Sequence, residues 1–165
     1  MALSEGRIKF DINARQTVTA GIGASASDTT IEHKLSLNRT VPNGTSQPAT
    51  VVGSFTVTLA SSTAFIDLAA LAIGNGGTSD CTGLKVQALG IKNPTGNGTL
   101  TLSYTSATAS SAYNLAGTSF SIAVPAGGSL VLDTYDGSGD VATNAKNIVC
   151  TGTGTQSFHA LVIAG

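Results

Sequence analysis

Apolar and polar residues alternate along much of this chain, and a period of two is typical of short β-strands with one buried face. The segment 7–12 shows it first, with Ile8, Phe10 and Ile12 in one phase and charged residues in the other. The same period recurs in segments that are separated by glycine, proline and asparagine, which favour turns. These further segments are 31–37, 51–59, 84–90, 100–104, 120–124, 130–132, 148–150 and 158–163.

About eight or nine short strands separated by turns predict an all-β fold, namely an antiparallel β-sandwich of jelly-roll-like form with an extended N-terminal arm. The dense turn signal at 93–98 predicts that 84–104 forms one hairpin, and the stretch 69–73 predicts a short helical turn. The inward phase of the strands predicts a core that contains Phe55, Val57, Leu84, Val86, Leu100, Leu102, Ile122, Leu130 and Leu161.

Charge is scarce in this chain and unevenly distributed. Only 10% of the 165 residues are charged, whereas the chain contains 23 Thr, 18 Ser and 20 Gly, residues that favour strands and turns. Nine of the seventeen charged residues lie among the first forty. We therefore divide the chain into an N-terminal segment, 1–42, and a sandwich domain, 43–165. The first segment is either an arm that docks on a polar partner or a set of edge strands whose charges prevent aggregation.

Four basic residues of the N-terminal segment are the candidate partner-binding residues: Arg7, Lys9, Arg15 and Arg39. Guanidinium groups form bidentate hydrogen bonds with carboxylates, and lysine supplies a compact positive charge. The net charge of −1 gives no electrostatic basis for binding nucleic acid. We therefore expect a protein partner.

The sequence shows no pattern that indicates catalysis, and we expect a protein that is not an enzyme and that needs no cofactor. His33 and His159 each fall within an alternating segment, with no Cys or Asp nearby in sequence to suggest a triad. Asp133, Asp136 and Asp140 offer carboxylates to a calcium ion, but their spacing does not match an EF-hand loop. Acidic residues that favour tight turns explain them equally well, so we expect no metal site.

The two cysteines are predicted to be free thiols. The chain begins without a basic segment followed by an apolar one, which predicts synthesis in a cytoplasm, where disulfides are rare. The longest weakly polar run, 64–73, is far too short to span a membrane. A disulfide between Cys81 and Cys150 on adjacent strands is the alternative.

Four short motifs follow one another in the second part of the chain. They are Phe65-Ile-Asp-Leu68, Gly83-Leu-Lys-Val-Gln-Ala-Leu-Gly-Ile-Lys-Asn-Pro94, Val124-Pro-Ala-Gly-Gly-Ser-Leu-Val-Leu132 and Phe158-His-Ala-Leu-Val-Ile-Ala-Gly165. This order of strands and turns resembles that of small structural proteins of tailed bacteriophages. The resemblance covers about residues 64–165, and it implies a virion protein that is made in the host cytoplasm.

The expected role is that of a capsid decoration or cement protein. Its expected partners are the major capsid protein or other virion proteins, and copies of itself in a homo-oligomer, with neither nucleic acid nor a membrane among them. One alternative is a phage tail or fibre component that contributes to host attachment. Another is a carbohydrate-binding β-sandwich module, in which Tyr113 and Tyr135, in or near predicted loops, would stack on sugars.

Overall fold

The structure is a computed structural model, and it describes residues 5–18, 29–42, 49–73, 76–104, 112–115, 119–134 and 138–165. These residues form β-strands and one 3-10 helix, Leu68–Ala70, close to the helical turn predicted at 69–73. None of the helices in this part of the chain is long and apolar enough to cross a membrane. The strands are β1 (Glu5–Val18), β2 (Thr29–Pro42), β3 (Val51–Thr58), β4 (Thr63–Asp67), β5 (Leu71–Ala72), β6 (Thr78–Ser79), β7 (Val86–Lys92), β8 (Leu100–Tyr104), β9 (Phe120–Val124), β10 (Ser129–Asp133), β11 (Asn147–Thr151) and β12 (Ser157–Ala164).

Two four-stranded antiparallel sheets pack against each other, which confirms the predicted all-β sandwich. Sheet I has the strand order β10-β7-β12-β3, and sheet II has the order β4-β11-β8-β9. Their facing side chains form one apolar core because each strand directs alternate residues inward. The short strands β5 and β6 pair with each other beside the sandwich.

Most of the predicted core residues lie in this core. Val86, Leu100 and Leu102 are fully buried, and Ile122 is half-buried. The other members that pack partly buried against the core are Phe55, Val57, Leu84 and Leu130. The period of two therefore identifies the inward face correctly on most of the strands that it predicts.

The prediction for Leu161 is wrong, because this side chain is 40% exposed on the outer face of sheet I. The inward phase of β12 is set by Phe158, Ala160 and Val162, all of which are buried. The sequence of β12 does not indicate this phase clearly, because the small Ala160 points inward whereas the larger Leu161 points outward. Phe65 is also 54% exposed, on the edge strand β4.

The predicted hairpin over 84–104 is also wrong, because β7 belongs to sheet I and β8 to sheet II. The turn 93–99 therefore crosses between the sheets, and the turn 125–128 crosses back from β9 to β10. The fully buried Asn93 links these crossings, since its Nδ2 donates to the carbonyls of Gly98 (2.9 Å), Val124 (2.9 Å) and Pro125 (3.1 Å). Turn residues alone do not distinguish a hairpin from a crossing.

The first two strands form a sheet of their own. Strands β1 and β2, of 14 residues each, are antiparallel and pair from Glu5 opposite Pro42 to Val18 opposite Thr29. Within the residues that the structure describes, neither is hydrogen-bonded to a strand of sheet I or sheet II. We call this pair of strands the ribbon; it is not an edge of either four-stranded sheet.

Candidate functional site: the N-terminal ribbon

The middle of the ribbon exposes both of its faces. Ile12 and Leu35 stand directly opposite each other in the register, and they are 48% and 61% exposed. Lys9 and Asp11, in the alternate phase of β1, are exposed as well. A two-stranded hairpin is marginally stable in water when its apolar side chains remain uncovered. The ribbon is therefore a surface that gains stability by packing against a partner.

The polar face carries a chain of side-chain contacts across the two strands. Arg7 Nε donates to Asn38 Oδ1 at 2.8 Å. Lys9 Nζ lies 2.8 Å from Asp11 Oδ2, and Asp11 Oδ1 accepts a hydrogen bond from Ser36 Oγ. These contacts follow from the register, which places Lys9 opposite Asn38 and Asp11 opposite Ser36.

The ion pair on this face shifts the pKa of both partners. The hydrogen bond with Asp11 raises the pKa of Lys9. The hydrogen bonds from Lys9 and then from Ser36 lower the pKa of Asp11. Because the pair is exposed to water, it stabilises the ribbon little and is weakened by salt. Its main effect is to fix where the charges lie.

The structure brings two of the four candidate basic residues together. Arg7 and Lys9 lie in one phase of β1, and both are exposed. Arg15 holds the register position opposite Glu32, and Arg39 the position opposite Ile8. The side chains of Arg15 and Arg39 lie outside what the structure describes. Because Arg39 is opposite Ile8, its position belongs to the phase of Ile8 and Ile12, and not to the phase of Arg7 and Lys9.

Sequence reasoning missed the exposed pair Ile12 and Leu35, because it treated Ile12 as part of a half-buried strand. A signal was present in the sequence. The segments 9–13 and 34–38 alternate in phases that an antiparallel pairing matches, with polar opposite polar and apolar opposite apolar. Such a match predicts that the two strands pair with each other as a ribbon without a third strand. Their apolar residues then form a second apolar surface outside the sandwich core.

The other candidate residues lie away from the ribbon. His159 is exposed on the outer face of sheet I, with its Nδ1 at 3.1 Å from Thr56 Oγ1; the side chain of His33 lies outside the described set. Tyr113 is only 2% exposed, so the proposal that it stacks on sugars is wrong. Its hydroxyl instead donates to the Gly139 carbonyl at 2.6 Å and accepts from Val86 N at 3.2 Å. Tyr135 lies outside the described residues.

The remaining reactive groups are the carboxylates of Asp133, Asp136 and Asp140 and the thiols of the two cysteines. Asp136 lies outside the described residues, and among those that are described no group of three or more His, Cys, Asp or Glu could hold a metal ion. Cys81 and Cys150 are free and fully buried. Burial raises the pKa of Cys81 to about 11, with a smaller effect of Asp80, and raises the pKa of Cys150 to about 12.

The ribbon thus combines oriented donors and acceptors on one face with an exposed apolar pair on the other. These features equip it to recognise a surface, because the two faces can meet two different partners. Comparisons with protein-family models, with curated proteins and with solved structures return no match for this chain.

Proposed function

We propose that this protein is a structural component of a viral particle, of the capsid decoration or cement type, and that it binds the major capsid protein through its ribbon. The observation that carries the proposal is the ribbon itself. It forms a separate sheet with exposed polar residues, while the two four-stranded sheets share a core of their own. The resemblance of residues 64–165 to phage structural proteins supports the same class.

The polar face supplies the contacts for such a shell. Asn38 holds the Arg7 guanidinium through Nε, so less side-chain entropy is lost when the group meets a carboxylate. Lys9 is already paired with Asp11, and a partner carboxylate would extend that pair into a network. The rest of the chain carries few charges, so close packing on a shell desolvates little charge.

Co-sedimentation with viral shells that lack the protein tests the proposal. We expect the full chain to bind saturably and a variant without residues 1–42 to remain folded but unbound. The variant should stay folded because no described strand of sheet I or sheet II loses a hydrogen-bonded neighbour. A folded truncated chain that still binds would show that the sandwich makes the contact, and the proposal would be wrong.

Charge reversal on the ribbon gives a finer test. Arg7→Glu combined with Lys9→Glu should weaken shell binding at least about tenfold, since like charges then face the partner. The control is Ser121→Glu combined with Ala123→Glu, which adds acidic groups at two exposed positions on sheet II and should leave shell binding unchanged. Salt should weaken the binding of the unaltered chain as the Debye length falls from about 10 Å at 0.1 M to about 3 Å at 1 M.

Copy number separates this proposal from a role in a tail or fibre. A decoration protein that covers a shell occurs in many copies per particle, whereas a tail or fibre component occurs in few. Quantitative mass spectrometry of purified particles, or an image of the assembled particle, measures this number directly. A low copy number at one vertex or at the tail would favour the alternative.

A further inference from the structure

A row of small and apolar residues crosses the outer face of sheet I. The register aligns Val131, Gly90, Leu161 and Ser54 across all four strands. Val131 is 48% exposed and Leu161 is 40% exposed. Gly90 has no side chain between them, and a Cβ built there would meet only Leu161, at 3.7 Å from its Cβ and 4.0 Å from its carbonyl oxygen. The row therefore forms a shallow notch that can receive an apolar side chain from outside.

This row continues an apolar cluster that already lies on the same face. Ala88 and Ile163, two positions along β7 and β12 from the row, are buried together with Ala49 and with the partly buried Val52. Ala49, fully buried, lies just before β3. The chain thus reaches the sandwich from the ribbon at one end of the outer face of sheet I. The notch lies about 7 Å further along the strands, at two residues of extended chain.

The notch and the ribbon expose apolar residues in the same chain. Val131 and Leu161 are uncovered on sheet I, and Ile12 and Leu35 are uncovered on the ribbon. The two surfaces therefore do not cover each other within one chain. We infer that the ribbon of one copy packs its Ile12–Leu35 face on the outer face of sheet I of a second copy, and that the two copies exchange ribbons reciprocally.

The available area favours reciprocal exchange over other contacts between two copies. A ribbon of 14-residue strands is about 45 Å long and about 10 Å wide, so one face offers about 450 Å². Two ribbons packed on each other would bury less than the roughly 800 Å² per partner of a standard stable interface. In reciprocal exchange each copy buries both a ribbon face and a sheet face, so the area buried per copy is about twice that of a single contact and comes closer to that size.

The exchange leaves the polar face of the ribbon outward. Arg7 and Lys9 lie in the alternate phase to Ile12, so they stay available to the shell. The inference therefore goes beyond the proposed function and does not rest on it. Arg7→Glu with Lys9→Glu tests shell binding alone, and apolar-to-acidic changes on the other face test exchange alone.

The mass of the protein in solution tests the exchange. Sedimentation equilibrium of the full chain up to about 100 µM should give about twice the chain mass of 16.4 kDa. Leu35→Asp and, separately, Leu161→Asp should each return the mass to that of one chain with an unchanged circular-dichroism spectrum, since both side chains are exposed in the single chain. The matched controls Asn13→Asp and Ser121→Asp, at exposed positions on the other face of the ribbon and on sheet II, should leave the mass doubled. A single-chain mass at every concentration, any other oligomer, or a dimer that survives both variants would overturn the inference.

Cross-linking identifies the surfaces in contact. Chains with Ile12→Cys and differently tagged chains with Leu161→Cys are mixed, unfolded, refolded together and treated with a short bismaleimide. The buried native cysteines give no background in the folded protein. We expect linked pairs that carry both tags, and none when Ser121→Cys, at an exposed position on sheet II, replaces Leu161→Cys. A chain that carries both Ile12→Cys and Leu161→Cys tests linkage within one chain. If the mixture gives no linked pairs, or if linkage forms only within these doubly substituted chains, the ribbon does not dock on a second copy.

Discussion

The side-chain amide of Asn97 donates a hydrogen bond to Asn93 Oδ1 at 2.8 Å, and this contact turns the Asn93 amide toward three carbonyl groups. The same Asn97 nitrogen donates to the carbonyl of Ser157 at 2.7 Å, where β12 begins. Two asparagines thus join the turns 93–99 and 125–128 to the first residue of β12. Every polar atom of the buried Asn93 side chain has a partner, as a buried amide requires.

Asn93→Asp should therefore lower the free energy of unfolding by about 3 kcal/mol or more. The carboxylate would face three carbonyl oxygens without a proton to donate, and a buried group left unpaired in this way is costly. Urea unfolding followed by circular dichroism measures the change. The same substitution at the exposed Asn13 should alter stability by less than about 0.5 kcal/mol. Equal effects at both positions would contradict the role of Asn93.

Gly53→Ala should destabilise the sandwich by about 1–3 kcal/mol, because a Cβ at this position would lie 2.6 Å from the Ala72 carbonyl oxygen and 2.9 Å from Leu71 Cγ. The backbone of β5 must then move away from β3. Gly96→Ala is the control, since a Cβ at this position would meet no atom within 4 Å. Thermal melts compare the two variants: if Gly53→Ala melts no lower than Gly96→Ala, β3 and β5 are not packed as closely as described.

Ser61→Asn should stabilise the protein by about 0.5–1 kcal/mol. Ser61 and Ser62 both have positive φ, of 50° and 74°, in the two-residue turn between β3 and β4. This is the type I′ turn, for which asparagine is strongly preferred over serine at the first position. Ser62 should be kept, because its Oγ accepts from Gly154 N at 3.0 Å. The control Ser54→Asn, within strand β3, should instead be neutral or destabilising. A gain in the free energy of unfolding at Ser54 as large as that at Ser61 would contradict the type I′ turn as the cause.

The buried thiols should make the protein less stable at alkaline pH. Burial raises the pKa of Cys81 to about 11 and that of Cys150 to about 12, from 9.0. The unfolded chain loses these protons near pH 9, whereas the folded chain keeps them. The unfolded state then binds fewer protons, so the free energy of unfolding falls as pH rises from about 9 to about 12 and is unaffected by these thiols below about pH 8.

Urea titrations at pH 8 and pH 10 should show a loss of about 2–3 kcal/mol from the two thiols. Replacing both cysteines by alanine should remove that difference while lowering stability at either pH. A thiol reagent at pH 8 should react slowly with the folded protein and with two thiols after denaturation. Rapid reaction of the folded chain, or a stability that does not depend on pH between 8 and 10, would contradict the described burial.

The sequence predicted the class of the fold because the period of two depends only on which side chains meet the core. Val86 and Leu100 were placed correctly for this reason. Pairing was harder to predict, because the same turn residues serve hairpins and crossings. The choice between them at 93–99 depends on one buried amide, Asn93, whose partners are distant in the sequence. Leu161 was misplaced because neighbouring apolar residues gave β12 no clear phase.

The candidate site was predicted only in part. The uneven distribution of charge directed attention to Arg7 and Lys9, which lie together on the ribbon. The exposed pair Ile12 and Leu35 depends on the register between the consecutive strands β1 and β2, which composition does not reveal. Tyr113 lies outside the strands, as predicted, but its side chain is buried and bonded to the backbone.

The central position of β12 in sheet I determines when the sandwich can form. Both of its neighbours, β3 and β7, precede it in the chain, and neither pairs with the other, so sheet I is in two parts until residues 157–164 leave the ribosome. Pairing over such long separations is slow. Sheet I therefore cannot be completed before residue 164 has been synthesised, and a surface built on that sheet cannot engage a second copy before then.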